Sequence, residues 1–120
     1  MVNLKTLNIY LASNSPRRKA VFDFIGLKYN VLQLSIEEKS NKIEPLPYCL
    51  DILDTKLQGA KTELENLGNS LVVVADTVVC LDREMLGKPT DRKSAYEMLA
   101  KLSGRVHKVI TGVGYHVNGA

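Results

Sequence analysis

The sequence predicts an α/β fold in which a mixed central sheet is flanked by helices. Three observations predict it. Apolar runs at residues 6–12 and 71–75 have the length and composition of strands buried in a sheet. Between them Leu50, Leu53, Leu57, Ala60, Leu64 and Leu67 recur at steps of three and four, the spacing of one helical face. Strand and helix patterns then alternate along the whole chain, in the order strand–helix–strand–helix–strand–hairpin–helix–strand.

Taken in order, Thr6 to Ala12 forms the first strand. Ser15 and Pro16 follow as a helix cap and a proline at the first helical position, where its missing N–H does no harm. The helix runs to about Ile25, with Val21, Phe24 and Ile25 on one face, and Gly26 ends it. Tyr29 to Ile36 reads as a second strand, and Glu37 to Pro47 as a polar loop. The long leucine-periodic helix closes at Gly68 and Asn69. Leu71 to Ala75 is expected to be central and buried on both faces. Val78 to Leu86 suggests a short hairpin turning at Asp82-Arg83-Glu84. Asp91 opens a helix that buries Ala95, Met98, Leu99 and Leu102 and ends at Ser103-Gly104. Val106 to Val117 is the last strand, and the chain closes at Asn118-Gly119-Ala120, where a strand would normally turn back into further structure.

The chain of 120 residues fits a single domain, residues 1–120. With 45% hydrophobic and 24% charged residues it is globular in composition, and the absence of Trp makes its core aliphatic. The net charge of +3 is spread over both halves without a basic block, so recognition of nucleic acid by charge is not indicated. No run approaches the ~18 apolar residues of a membrane span. Cys49 and Cys80 lack metal-ligand spacing and read as packed thiols of a reducing compartment. A cytoplasmic location is the resulting expectation.

Two stretches carry chemistry. In Leu11-Ala12-Ser13-Asn14-Ser15-Pro16-Arg17-Arg18, two arginines fall in the first helical turn. Cations there oppose the helix dipole at a cost of about 0.3–1 kcal/mol each. A bound anion between the guanidinium groups and the free backbone N–H donors would reverse that sign; two solvated arginines are the plainer alternative. Ser13 adds a hydroxyl.

In Ala75-Asp76-Thr77-Val78-Val79, a carboxylate follows an apolar strand, where open α/β sheets place ligands. Asp76 could hold Mg²⁺, act as a base on water, or simply form a turn. Lys88, in Gly87-Lys88-Pro89, suits either a phosphate or a turn, and the surrounding residues do not form a Walker A loop. Glu37 and Glu38 could bind a hard cation or belong to a solvated acidic loop. Lys56 lies on the polar side of the long helix. His107 and His116 have neither metal spacing nor a nucleophile beside them.

Together these segments resemble the Maf family of nucleotide pyrophosphatases, also described as septum-formation inhibitors. The first stretch matches the family's opening signature. Ile36-Glu37-Glu38, Ala75-Asp76-Thr77-Val78-Val79, Gly87-Lys88-Pro89, Met98-Leu99, Leu102-Ser103-Gly104, His107 and Thr111-Gly112-Val113 follow in the family's order. The resemblance implies a Maf/ITPase-like fold and hydrolysis of a nucleoside triphosphate to the monophosphate and pyrophosphate. It implies Asp76 as general base, with Lys88 as a second catalytic group. Ser13, Arg18, Lys56 and Lys88 would hold phosphates, and Glu38 would help position Mg²⁺ or Mn²⁺. Arg17 and Thr77 resemble the branch acting on dTTP, UTP and their modified forms.

Two departures accompany the match. Lys56 lacks the family's flanking alanines. The family's C-terminal segment, with an Asp-Lys-x-Gly-x-Tyr motif and a base-recognising glutamine, is not in this sequence, which has about two thirds of the family's length. The resemblance allows a homodimer, and it leaves a truncated, non-catalytic nucleotide-binding or regulatory protein as the alternative to an enzyme.

Overall fold

A computed structural model describes residues 6–119; residues 1–5 and Ala120 lie outside them. Along the chain run β1 (Asn8–Ala12), α1 (Pro16–Phe24), β2 (Asn30–Val31), α2 (Pro45–Leu64), β3 (Ser70–Leu81), β4 (Glu84–Leu86), α3 (Arg92–Leu102) and β5 (Lys108–Asn118). The expected order of elements and the mixed sheet are both present.

β3 organises the sheet. Along one edge it pairs antiparallel with β5 from Ser70–Asn118 to Cys80–Lys108. On its other edge it pairs first with β1, in parallel from Asn8–Ser70 to Ala12–Val74. It then pairs with β4, antiparallel from Val79–Leu86 to Leu81–Glu84. Between Val74 and Val79 that edge has no strand partner among the described residues. β2 extends the sheet beyond β1.

Alternate β3 residues explain the core. Ser70, Val72, Val74, Asp76, Val78 and Cys80 are buried, while Leu71, Val73, Thr77 and Val79 are only half-buried. The buried side meets Cys49, Leu53, Ala60 and Leu64 of α2. Gly112, paired with Asp76, lets α2 sit this close: a Cβ there would lie 2.3 Å from Leu53 Cδ1 and 3.1 Å from Cys49 Sγ.

Several expectations are corrected. β3 does not end at Ala75 but continues six residues further, because β5 supports it along its whole length; on its second face Ala75 and Leu81 are buried, while Leu71, Val73, Thr77 and Val79 are half-buried. The second strand is hydrogen-bonded only at Asn30–Val31, extended by one bond from Leu32 N–H to the Leu11 carbonyl (3.0 Å). β1 is too short to pair with the rest, yet Leu32, Leu34 and Ile36 still alternate inward. The long helix begins at Pro45, inside the expected loop, since proline is accommodated in a first helical turn. Its buried stripe uses Cys49 and Ile52 in place of Leu50, which is exposed, and Leu67 lies beyond its end, also exposed. Neither α1 nor α3 buries a residue, so the faces expected from Val21, Phe24 and Ile25 and from Leu99 are open. Ser15 makes no side-chain cap; its N–H donates instead to Ser13 Oγ (3.1 Å). Asp91 does cap α3, in a capping box with Ser94, and Gly26 follows α1 at φ +74°.

Candidate active site

The interruption on the β3 edge opens into a cleft of about 650 Å³, a size suited to a small-molecule ligand. Ser13, Arg17 and Arg18 enter from the β1–α1 junction, Glu37 and Glu38 from the segment after β2, and Lys56 from α2. Asp76 and Thr77 come from β3 and Lys88 from the turn after β4. Every residue that the sequence resemblance assigns to a site therefore lines one cavity. Asp76 is not at a strand end as expected; it lies inside β3, at the point where β1 has stopped and β4 has not begun.

Lys56 is the centre of this arrangement. Its ammonium donates to the Ala75 carbonyl (2.9 Å), meets Glu38 Oε1 at 2.9 Å and lies 3.7 Å from Asp76 Oδ1. Its side chain is 12% exposed and that of Asp76 9%, while Glu38 is about half open to solvent. Burial raises the Asp76 pKa above the ordinary carboxylate value, and the nearby Glu38 charge adds to this. Lys56, Lys88 and Arg18 pull it back only in part. Glu38 moves the other way, its pKa lowered by the hydrogen bond from Lys56. Two carboxyls beside one ammonium thus have pKa values displaced in opposite directions, the pattern of an acid–base site.

Arg18 occupies the opposite wall. Nη2 donates to Thr77 Oγ1 (2.8 Å) and Nη1 to Ser13 Oγ (3.3 Å). The rest of its guanidinium donors are left for an anion. Arg17 and Lys88 line the cleft exposed to solvent, placing further positive charge at its mouth.

Sequence reasoning alone does not find Thr111, whose hydroxyl lies 3.0 Å from that of Thr77. The only signal is its place within the Thr111-Gly112-Val113 match. Cys49 is the packed thiol that its sequence context predicts, but it packs under the site, with Sγ 3.6 Å from the Asp76 carbonyl. Burial, followed by the Asp76 charge, raises its pKa, so it is not an activated nucleophile.

Among the described residues no three His, Cys, Asp or Glu side chains are grouped as a metal cage. Glu38 nevertheless suits a cation held mainly by substrate. Mg²⁺ usually takes one or two carboxylates and completes its shell with water and phosphate oxygens, and Glu38 offers a half-exposed carboxylate held ionised at the cleft wall. No helix among the described residues is long and apolar enough to cross a membrane.

Comparison with known proteins bears on the family and the fold. The family model described as Maf-like protein matches residues 8–119. The dTTP/UTP pyrophosphatase of Caldanaerobacter subterraneus subsp. tengcongensis is 38% identical over 107 residues, covering 89% of this chain and 51% of that protein. The protein of the same name from Ruminiclostridium cellulolyticum is 41% identical over 106 residues, covering 88% and 54%. The matched part thus spans about half the length of these curated relatives. Among solved structures, the Ham1 protein of Staphylococcus aureus superposes with a TM-score of 0.50 at 16% identity, over 90% of this chain and 70% of that one. That likeness supports the fold alone.

Proposed function

Since the chain belongs to the Maf family, we propose that it carries the catalytic cleft of a nucleoside triphosphate pyrophosphatase. The substrates would be dTTP, UTP and modified forms of them, and the products the monophosphate and pyrophosphate. The observation that carries this reading is Asp76: a carboxylate almost closed to solvent, with a raised pKa, in a cleft that Arg17, Arg18, Lys56 and Lys88 also line.

The chemistry follows from those residues. Arg18, Lys56 and Lys88, with the Ser13 hydroxyl, bind the phosphate oxygens and stabilise charge as it develops on them. Asp76 accepts a proton from water, and its raised pKa makes it a stronger base than a solvated carboxylate. The water oxygen bonds to the α-phosphorus while the bond to the bridging oxygen breaks, so pyrophosphate departs with the electron pair. Glu38 would hold a divalent cation, Mg²⁺ or Mn²⁺, which when bound would neutralise phosphate charge. Lys56 lowers the Glu38 pKa, favouring the ionised carboxylate for that purpose, and draws the raised Asp76 pKa part of the way back. Arg17 and Thr77 are the residues we assign to preference for dTTP and UTP.

The test is release of pyrophosphate from UTP or dTTP by the purified chain with Mg²⁺, and its loss in Asp76→Asn. Failure to turn over any nucleoside triphosphate overturns the enzymatic reading. The alternative reading is nucleotide binding without turnover. Calorimetric binding of UTP without hydrolysis would select it.

A further inference from the structure

Thr77 and Thr111 are directly opposed in the β3–β5 ladder, and their hydroxyl oxygens are 3.0 Å apart. Neighbours across a sheet share a face, so both side chains project to the same side. The Thr77 oxygen also accepts from Arg18 Nη2 at 2.8 Å. A guanidinium only donates, so Thr77 must present a lone pair to it. Thr77 can meet both partners only in a side-chain rotamer that aims Oγ1 between them.

Arg18 and Thr111 are the side chains that hydrogen-bond to Thr77 Oγ1 among the described residues. A threonine on a strand can exchange its hydroxyl and methyl positions by rotating about χ1. Such a rotation would present a methyl group to Arg18. The hydroxyl of Thr111 gives Thr77 Oγ1 a second partner in the orientation that also serves Arg18. Arg18 is then held on two atoms of one side, Thr77 Oγ1 and Ser13 Oγ, and its free donors are fixed relative to the cleft.

We propose that Thr111, which does not itself line the cleft, is a positioning residue that acts through Thr77 to orient Arg18 for a triphosphate. This deepens the pyrophosphatase reading and rests on it for the ligand, but the hydroxyl relay can be tested without turnover. The pair is accessible to water, so the effect is modest: a roughly two- to tenfold loss, the range for one net hydrogen bond.

The experiment compares Thr111→Val, which keeps the shape and removes the hydroxyl, with Thr111→Ser, which restores it. UTP binding with Mg²⁺ is measured by calorimetry. Separately, the Nη resonances of ¹⁵N-labelled Arg18 are followed by NMR without nucleotide, since a guanidinium held at both Nη atoms rotates slowly. Expected are weaker UTP binding and faster Nη averaging in Thr111→Val, with both returned by Thr111→Ser. Adding Thr111→Val to Thr77→Val should change neither readout further, because the relay is already broken.

Unchanged Nη averaging in Thr111→Val overturns the proposal, as does an effect of the same size in the Thr77→Val background. If the unmodified chain binds no triphosphate, the pyrophosphatase reading fails, and the NMR comparison still decides the relay. Valine favours strands, but should Thr111→Val not fold, Thr111→Ala takes its place, and the same two results overturn the proposal.

Discussion

Replacing Lys56 by Met keeps a long apolar stem and removes one ammonium from the centre of the cleft. The ammonium lies 3.7 Å from the almost buried Asp76 carboxylate, an attraction of about 4 kcal/mol at an effective dielectric constant of about 20. Much of that is offset, because the variant no longer desolvates an ammonium and because Asp76 can take up a proton instead. The share of Glu38 is under about 1 kcal/mol, since it is half-exposed. The Ala75 carbonyl loses its donor, costing about 1 kcal/mol. The net expectation is a loss of about 2–3 kcal/mol near neutral pH.

Its pH dependence is specific. The lowered pKa of Glu38 contributes stability above its ordinary pKa, and this is lost as pH falls through the folded value. The raised pKa of Asp76 means that its ionisation opposes folding, a penalty relieved as pH falls through that raised value. Lys56→Met removes the first contribution and enlarges the second. The difference from the unmodified chain should therefore be greatest near neutrality. It should shrink as pH falls through the raised Asp76 value, and reach the carbonyl contribution alone only below the lowered Glu38 value. Urea denaturation followed by circular dichroism across this range measures it. A difference that stays flat with pH, or one below about 0.5 kcal/mol at neutral pH, would refute the central role given to Lys56.

Asp76→Asn should abolish turnover, a loss of at least about 100-fold, yet leave neutral-pH stability equal or higher, because a carboxylate with a raised pKa is replaced by a neutral isostere; a urea-measured loss above about 1 kcal/mol would contradict this. Turnover by the unmodified chain should fall on acidification through the raised Asp76 pKa, so the acid limb of its pH–rate profile should lie above the ordinary carboxylate value. Gly112→Val should destabilise by about 1–3 kcal/mol through its collision with Leu53 and Cys49, and unchanged urea midpoints would show that α2 can move aside. Asp91→Ala should remove the capping box of α3, a local loss of about 1 kcal/mol. Faster amide exchange in the first turn of α3 with little change in the global midpoint is expected, because that helix buries no residue.

What can be read in the sequence differs between the parts of the site. Asp76 and the two arginines stand beside strong local signals, an apolar run and a proline-led helix start, and both survive any error in strand length. Lys56 has no such signal. Its importance comes from α2 crossing the sheet face at Gly112, a contact between distant residues that helical periodicity does not encode. The same limit explains the over-reading of α1 and α3: apolar spacing in Val21, Phe24 and Ile25 marks a face able to pack, and in these residues that face meets no core. Leu32, Leu34 and Ile36 show the converse. Their alternation correctly gives the inward direction, while hydrogen bonding stops at β2 because β1 offers nothing further to pair with. A charged residue such as Asp76 resembles a strand terminus in sequence, and only the full-length partner β5 shows that β3 runs on.

The four residues between Val74 and Val79, where one edge of β3 lacks a strand partner among the described residues, set a limit on how this protein could be strengthened. Lengthening β1 by a residue pair, or drawing β4 back toward Asp76, would complete a ladder and satisfy every habit of a well-formed sheet. It would also fill the opening through which Ser13 and Arg18 face Asp76 and Thr77. In this chain, regularity of the sheet and access to the carboxylate compete for the same stretch of backbone, so a selection for thermal tolerance alone should drift toward closed, ligand-blind descendants.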